Sequence, residues 1–176
     1  FSFSVSISNV TTNDKNTVIS SSLSTLPVII NKAAYCNLKS SIPSNSQLIS
    51  NRAGWIINVE EGVEGAPNNL IDGKTGTDVA LNNKGFWFTV DLGEAKVLTD
   101  IKTNHWANAY APREVEILQS ENGTTWKSLS SLAISGGTQN ITFISPITTR
   151  YLKYQIITIS TNGRTDVTEF NVYEPK

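Results

Sequence analysis

Short β-type runs separated by tight turn dipeptides limit what this chain can become more than any other feature. Asp72-Gly73, Asn122-Gly123, Gly136-Gly137 and Asn162-Gly163 punctuate it, and such pairs supply the positive φ angles that close hairpins. The runs between them are rich in β-branched and aromatic residues, and none sustains the 3.6-residue apolar period of a helix. The pattern predicts an all-β fold, an antiparallel sandwich or barrel. The stretch 69–93 shows it in miniature. A polar turn, Asp72-Gly73-Lys74-Thr75-Gly76-Thr77, feeds a strand, Phe86-Trp87-Phe88-Thr89-Val90-Asp91-Leu92, which Gly93 is expected to stop. Further strands are expected at 55–59, 96–103, 113–120, 141–144, 151–159 and 167–173, another begins at Trp126, and Trp87 and Trp126 are read as core.

The chain has 176 residues, enough for one ordinary domain and an additional piece. Its net charge is −1 with no basic run, so the electrostatic footprint of a nucleic-acid binder is missing. No apolar run approaches the roughly 20 residues of a membrane-crossing helix. Phe1, Phe3, Val5 and Ile7 alternate with serines, and a second apolar run at 23–30 is interrupted by Pro27. Two such strands cannot bury a face alone, so residues 1–35 are expected to be the β remnant of a preceding small domain in a longer or processed chain. The Ser-rich stretch 36–46, with Pro43, is read as a linker, and 47–176 as the main domain. Cys36 is the sole cysteine, which excludes an internal disulfide, and its apolar setting predicts a buried thiol. Glu114 and Glu116 share one exposed strand face rather than opposing each other across a cleft, and no nucleophile triad or phosphate loop is present, so the chain is not expected to be an enzyme.

Several motifs in order carry a resemblance. They are Asn69-Leu70-Ile71-Asp72-Gly73 with Thr77, then Trp87 and Val90-Asp91-Leu92-Gly93. Val115-Glu116-Ile117, Ser120-Glu121-Asn122-Gly123 and Trp126 follow, then Arg150-Tyr151-Leu152-Lys153-Tyr154 and Glu169-Phe170-Asn171-Val172-Tyr173. Over about residues 47–174 the chain resembles the coagulation factor 5/8 type C, or discoidin-like, domain of the galactose-binding-like fold. The resemblance implies an antiparallel jelly-roll β-sandwich. Animal members usually tie their ends with a disulfide; with one cysteine this chain is more similar to the bacterial branch, carbohydrate-binding module family 32. The tryptophan that often follows the Thr77 position is replaced by Asp78-Val79-Ala80, so one wall of the family's ligand cleft differs.

The resemblance carries a structural calcium onto Asp72, Thr77 and Glu169. The chemistry agrees, because calcium takes six to eight hard oxygens and a tight turn offers carbonyls, a carboxylate and a hydroxyl; the competing reading is a plain Asp-Gly hairpin turn. In the family the loop 104–112 lies at the ligand-binding end. Here Trp106 and Tyr110 would be sugar platforms, and Asn104, His105 and Asn108 hydroxyl partners, with Asn82 and Arg164 on the flanking rim. The competing reading folds both aromatics back onto the core. The function implied is a non-catalytic glycan-binding module at the C-terminal end of a secreted or cell-surface glycoside hydrolase, chitinase-like or endo-β-N-acetylglucosaminidase-like. Its catalytic domain would lie in the same chain, and its ligands would be galactose or N-acetylhexosamine glycans. A bacterial outer-membrane lipoprotein is one such setting. The alternatives are an adhesion module for protein or membrane surfaces, which the lack of a basic cluster disfavours for anionic lipid, and a structural spacer.

Overall fold

The structure is a computed structural model that describes residues 35–176. These belong to the second of two units, Asn31–Lys176. The strand remnant expected over 1–35 lies outside the described residues, Tyr35 excepted.

Ten strands follow one another: β1 (Cys36–Lys39), β2 (Ser46–Leu48), β3 (Ile56–Val59), β4 (Val79–Asn82), β5 (Trp87–Asn104), β6 (Glu114–Ser120), β7 (Lys127–Ala133), β8 (Thr138–Thr158), β9 (Arg164–Val167) and β10 (Glu169–Pro175). Among the described residues a single 3-10 turn, Pro67–Leu70, is the helical element. The main sheet runs β2-β10-β5-β8-β6-β7, with β1 added to β8 and β3 to β5, and β4 pairs separately with β9. All pairings are antiparallel.

The two long strands explain how one hydrogen-bonded sheet makes a sandwich. β5 and β8 pair along their lengths, but their register breaks between Asp91 and Lys96 and again between Leu98 and Asp100. Before the break β5 pairs with β3, and after it with β10. Each long strand therefore contributes to both layers. Phe88 and Tyr154, neighbours in register in one layer, stack at 5.2 Å, and Phe170 of the other layer meets Phe88 edge-on at 5.1 Å. Around them Val90, Ile101, Val115, Ile117, Leu152 and Val172 are all but fully buried. The two-residue period does this, since alternate side chains of a strand point to opposite faces.

Three sequence expectations are corrected. Gly93 does not stop its strand; with φ +81 it sits in the register break, and the strand bends and continues because β8 runs beside it. Arg150 holds the Asp91 carboxylate there with two hydrogen bonds, at 2.8 and 2.9 Å. Trp87 and Trp126 are half-buried rather than core, because Phe86 and Phe88 occupy the inward parity and Trp126 precedes β7. The stretch 36–46 is not a free linker, for it supplies β1, whose Cys36 pairs opposite Phe143 and whose Cys36 N–H bonds the Ser130 hydroxyl at 2.9 Å. Backbone pairing to an open sheet edge, which a Ser-rich composition does not forbid, decided this. Cys36 itself is buried as expected, and burial pushes its thiol up to about 11.

Buried Asp100 ties strands of one layer together, accepting hydroxyl hydrogen bonds of 2.6 Å from Ser46 of β2 and from Thr142 of β8. The aromatic trio carries the central packing. Phe88→Ala is expected to cost about 3–5 kcal/mol of unfolding free energy, read by chemical denaturation. A loss under about 1 kcal/mol would contradict this account of the core.

Candidate ligand-binding site

One end of the sandwich gathers the loops. β5 ends at Asn104, which is opposite Thr138 of β8 and Glu169 of β10. Only Thr168 separates β9 from β10, and its N–H bonds the Asn104 carbonyl at 2.8 Å. The loop after β5 is thus laid against β9. Asp166, whose side chain is fully buried, is the fastener. Its carbonyl receives the His105 ring Nδ1–H at 2.5 Å, its N–H donates to the Tyr110 carbonyl at 3.2 Å, and its carboxylate accepts the Trp106 N–H at 3.2 Å. With Nδ1 donating, Nε2 of His105 is left to accept from the Thr103 hydroxyl at 3.3 Å.

These contacts push Trp106 outward. The residue is 55% exposed, and its indole N–H donates to Asp78 Oδ2 at 3.0 Å. The same oxygen pairs with Arg164 Nη2 at 2.9 Å. Asp78, Trp106, Tyr110 and Arg164 line an open cleft of about 310 Å³. Glu64 stands 3.6 Å and Asp166 3.5 Å from the Arg164 guanidinium. A cleft of similar volume, about 320 Å³, lies at the far end of β6 over Gln119, Asn122 and Lys127, but no aromatic ring lines it.

Of the expected ligand residues, Trp106, Tyr110 and Arg164 come together in the cleft. Asn82 is at its edge, opposite Arg164 in the β4–β9 register, and its amide donates to Glu64 at 3.1 Å. His105 is corrected: both ring nitrogens are spent on the fold and the ring is buried, which lowers its pKa to about 4. Asn104 and Asn108 also turn away from the cleft. Asn104 donates to the Thr138 hydroxyl at 3.0 Å, and Asn108 accepts the Gly137 N–H at 2.5 Å. Asp78, Glu64 and Asp166 were missed. For Asp78 and Asp166 the signal was residue parity, since Asp78, just before β4, is in phase with Ala80 and Asn82, and Arg164 with Asp166 on β9; Glu64, which meets Ala80 in an isolated bridge, carried no such signal.

Asp72, Thr77 and Glu169 also meet. Thr77 Oγ1 donates to Asp72 Oδ2 at 2.8 Å, and Glu169 reaches the same turn through the neighbouring Gly73 N–H. Glu169 Oε1 accepts the Gly73 N–H at 2.5 Å, while its buried Oε2 has no hydrogen-bond partner. Burial raises the Glu169 pKa. Burial opposes ionisation of Asp72 too, but the Thr77 hydroxyl, the Lys74 N–H and the Lys74 charge outweigh it and hold its pKa low. An orphaned buried carboxylate oxygen beside a second carboxylate and a hydroxyl suits a hard cation. Among the described residues no three His, Cys, Asp or Glu side chains cluster for a metal, so further ligands would have to be backbone carbonyls. Arg52 lies 3.6 Å from Glu169 Oε2 and donates to the Ile71 carbonyl at 2.9 Å, so it partly balances this charge.

The profile of the F5/8 type C domain matches residues 49–170. The chain belongs to the F5/8 type C domain family. Solved structures agree on the fold. The family 32 carbohydrate-binding module of Clostridium perfringens NanJ, in complex with galactose, is 22% identical with a TM-score of 0.62, covering 73% of this chain and 99% of that one. CpGH89CBM32-5 from Clostridium perfringens, in complex with GalNAc-β-1,3-galactose, is 18% identical with a TM-score of 0.62, covering 72% and 99%. The first family 32 module of a Clostridium perfringens family 31 glycoside hydrolase is 20% identical with a TM-score of 0.58, covering 70% and 96%. No curated protein matches this chain by sequence.

Asp166 and His105 make a pH prediction. Burial, reinforced by Asp78 and opposed by the Trp106 N–H and Arg164, raises the Asp166 pKa from 3.8 to about 6. The folded pKa of His105, about 4, lies below its ordinary 6.5, so its contribution to stability is complete above 6.5 and is lost as pH falls toward 4. Asp166 has the opposite sign: its contribution is complete below 3.8 and is lost as pH rises through 6. The two slopes oppose between those limits. As pH falls from about 6.5 to about 4, the melting temperature of Asp166→Asn is expected to drop relative to wild type by several degrees, and that of His105→Gln to rise. Slopes of the same sign in both variants would contradict the assignment.

Proposed function

We propose that this F5/8 type C domain is a non-catalytic carbohydrate-binding module whose ligand occupies the Asp78–Trp106–Tyr110–Arg164 cleft. The observation that carries the reading is Trp106, 55% exposed at a cleft that also presents a carboxylate and a guanidinium. A pyranose offers an apolar C–H face for an aromatic platform and equatorial hydroxyls for a few charged or polar partners at the platform's edge. The cleft carboxylates are engaged by Arg164 and the Trp106 N–H, which suits holding a sugar rather than protonating a glycosidic oxygen. The relatives bound to galactose and to GalNAc-β-1,3-galactose support galactose- or N-acetylhexosamine-type glycans. The relative from a family 31 glycoside hydrolase supports attachment to a catalytic domain in a longer chain. The proposed parent is chitinase-like or endo-β-N-acetylglucosaminidase-like and works outside the cell or at a bacterial surface. Tethering raises local substrate concentration, so weak single-site affinity suffices.

Calcium is the proposed structural ion, held by Asp72, Thr77, Glu169 and carbonyls of the 72–77 turn. When bound it would supply charge for the orphaned Glu169 Oε2 and fasten the turn to β10.

On a glycan array, the chain is expected to bind defined galactose- or hexosamine-terminated glycans, and Trp106→Ala to bind them at least about tenfold more weakly, a loss of about 1.4 kcal/mol. Binding unchanged in Trp106→Ala would remove this cleft from the account. Chelator is expected to lower the melting temperature by several degrees and calcium to restore it, with Asp72→Ala insensitive to both. Identical melting with and without chelator would sink the calcium assignment.

A further inference from the structure

We infer that Asp78 sets the charge class of the ligand: by engaging Arg164 it makes the cleft accept neutral or amine-bearing sugars and refuse acidic ones. This rests on the carbohydrate-binding reading of the same cleft. Arg164 is the one basic side chain in the cleft lining. A free guanidinium there would clamp a uronate or sulfate through paired hydrogen bonds. It is not free. Nη2 lies 2.9 Å from Asp78 and 3.6 Å from Glu64, and Nη1 lies 3.5 Å from Asp166. These carboxylates come from three segments: the turn after β3, the approach to β4, and β9. Three carboxylates against one guanidinium leave a local charge of −2 when all are ionised.

Asp78 also consumes the polar edge of the platform, since its Oδ2 takes the Trp106 indole N–H at 3.0 Å as well as Arg164. The cleft is left with aromatic faces and carboxylate oxygens, which are acceptors. Sugar hydroxyls can donate to them, and an ammonium group is attracted to them and to the indole face. A ligand carboxylate or sulfate meets like charge. The side chains of Asp78 and Arg164 are 18% and 30% exposed, so solvent screens the repulsion only in part.

Galactose, galactosamine and galacturonate, with their gluco counterparts, form a matched test by calorimetric titration. Wild type is expected to bind galactosamine at least as well as galactose and galacturonate about tenfold more weakly. In Asp78→Asn an amide oxygen in the Oδ2 position still accepts from the indole N–H and from Arg164, but the negative charge that neutralises the guanidinium is gone. Galacturonate binding is then expected to improve about fivefold relative to galactose. Glu64→Gln, at an exposed side chain, is expected to give a smaller shift in the same direction and serves if Asp78→Asn melts early. Galacturonate binding wild type as well as galactose, or both variants changing all sugars by one factor, would overturn the inference while leaving the carbohydrate reading intact. Failure of every sugar, charged or not, would overturn both.

Discussion

Burial of Asp166 is the constraint on which the candidate ligand-binding end depends. A strand residue with a fully buried carboxylate is costly unless its oxygens are satisfied. Here the cost is offset by the Trp106 N–H and by Arg164, while the residue's own backbone takes the His105 ring and the Tyr110 carbonyl. Those bonds order the loop after β5 on β9. Without them the loop loses the backbone anchors that present the indole of Trp106 to solvent beside Asp78.

The sandwich supplies the rigid background for that arrangement. β5 and β8 pass through both layers, and their bend is fixed by Gly93 at φ +81 and by the Asp91–Arg150 pair. Because both strands reach the same end, the loops after Asn104 and before Thr138 and the turn at 72–77 are brought side by side. Glu169 begins β10 beneath this end and couples it to the candidate calcium turn. Site and fold thus share the short segment 164–169, where one residue parity faces the cleft and the core takes Val167.

The sandwich was legible in the sequence because Val115 and Ile117, or Phe86 and Phe88, alternate strictly and turn pairs separate the runs. Trp106, Tyr110 and Arg164 were legible as large or charged side chains in loops near one another by family resemblance. His105, Asn104 and Asn108 were misread for a physical reason: a polar side chain in a polar loop looks free until its partner, from β9, from the start of β8 or from the turn before it, is known. Glu64, Asp78 and Asp166 were overlooked for the converse reason. Isolated acids look solvated, and only the long-range pairing of β4 with β9, with the Glu64–Ala80 bridge beside it, brings them to one guanidinium. The 36–46 stretch misled through composition, since an unpaired sheet edge recruits backbone whatever the side chains.

The most direct test of the central claim, that ligand binds at the Trp106 end, is a nitrogen-resolved NMR titration of the full chain with galactose or N-acetylgalactosamine. The account predicts saturable shifts of the Trp106 indole N–H and of the backbone amides of Asp78, Tyr110 and Arg164, with the amides of the Gln119–Lys127 cleft still. Shifts confined to that far cleft, or an indole signal of Trp106 that does not move while others saturate, would contradict it.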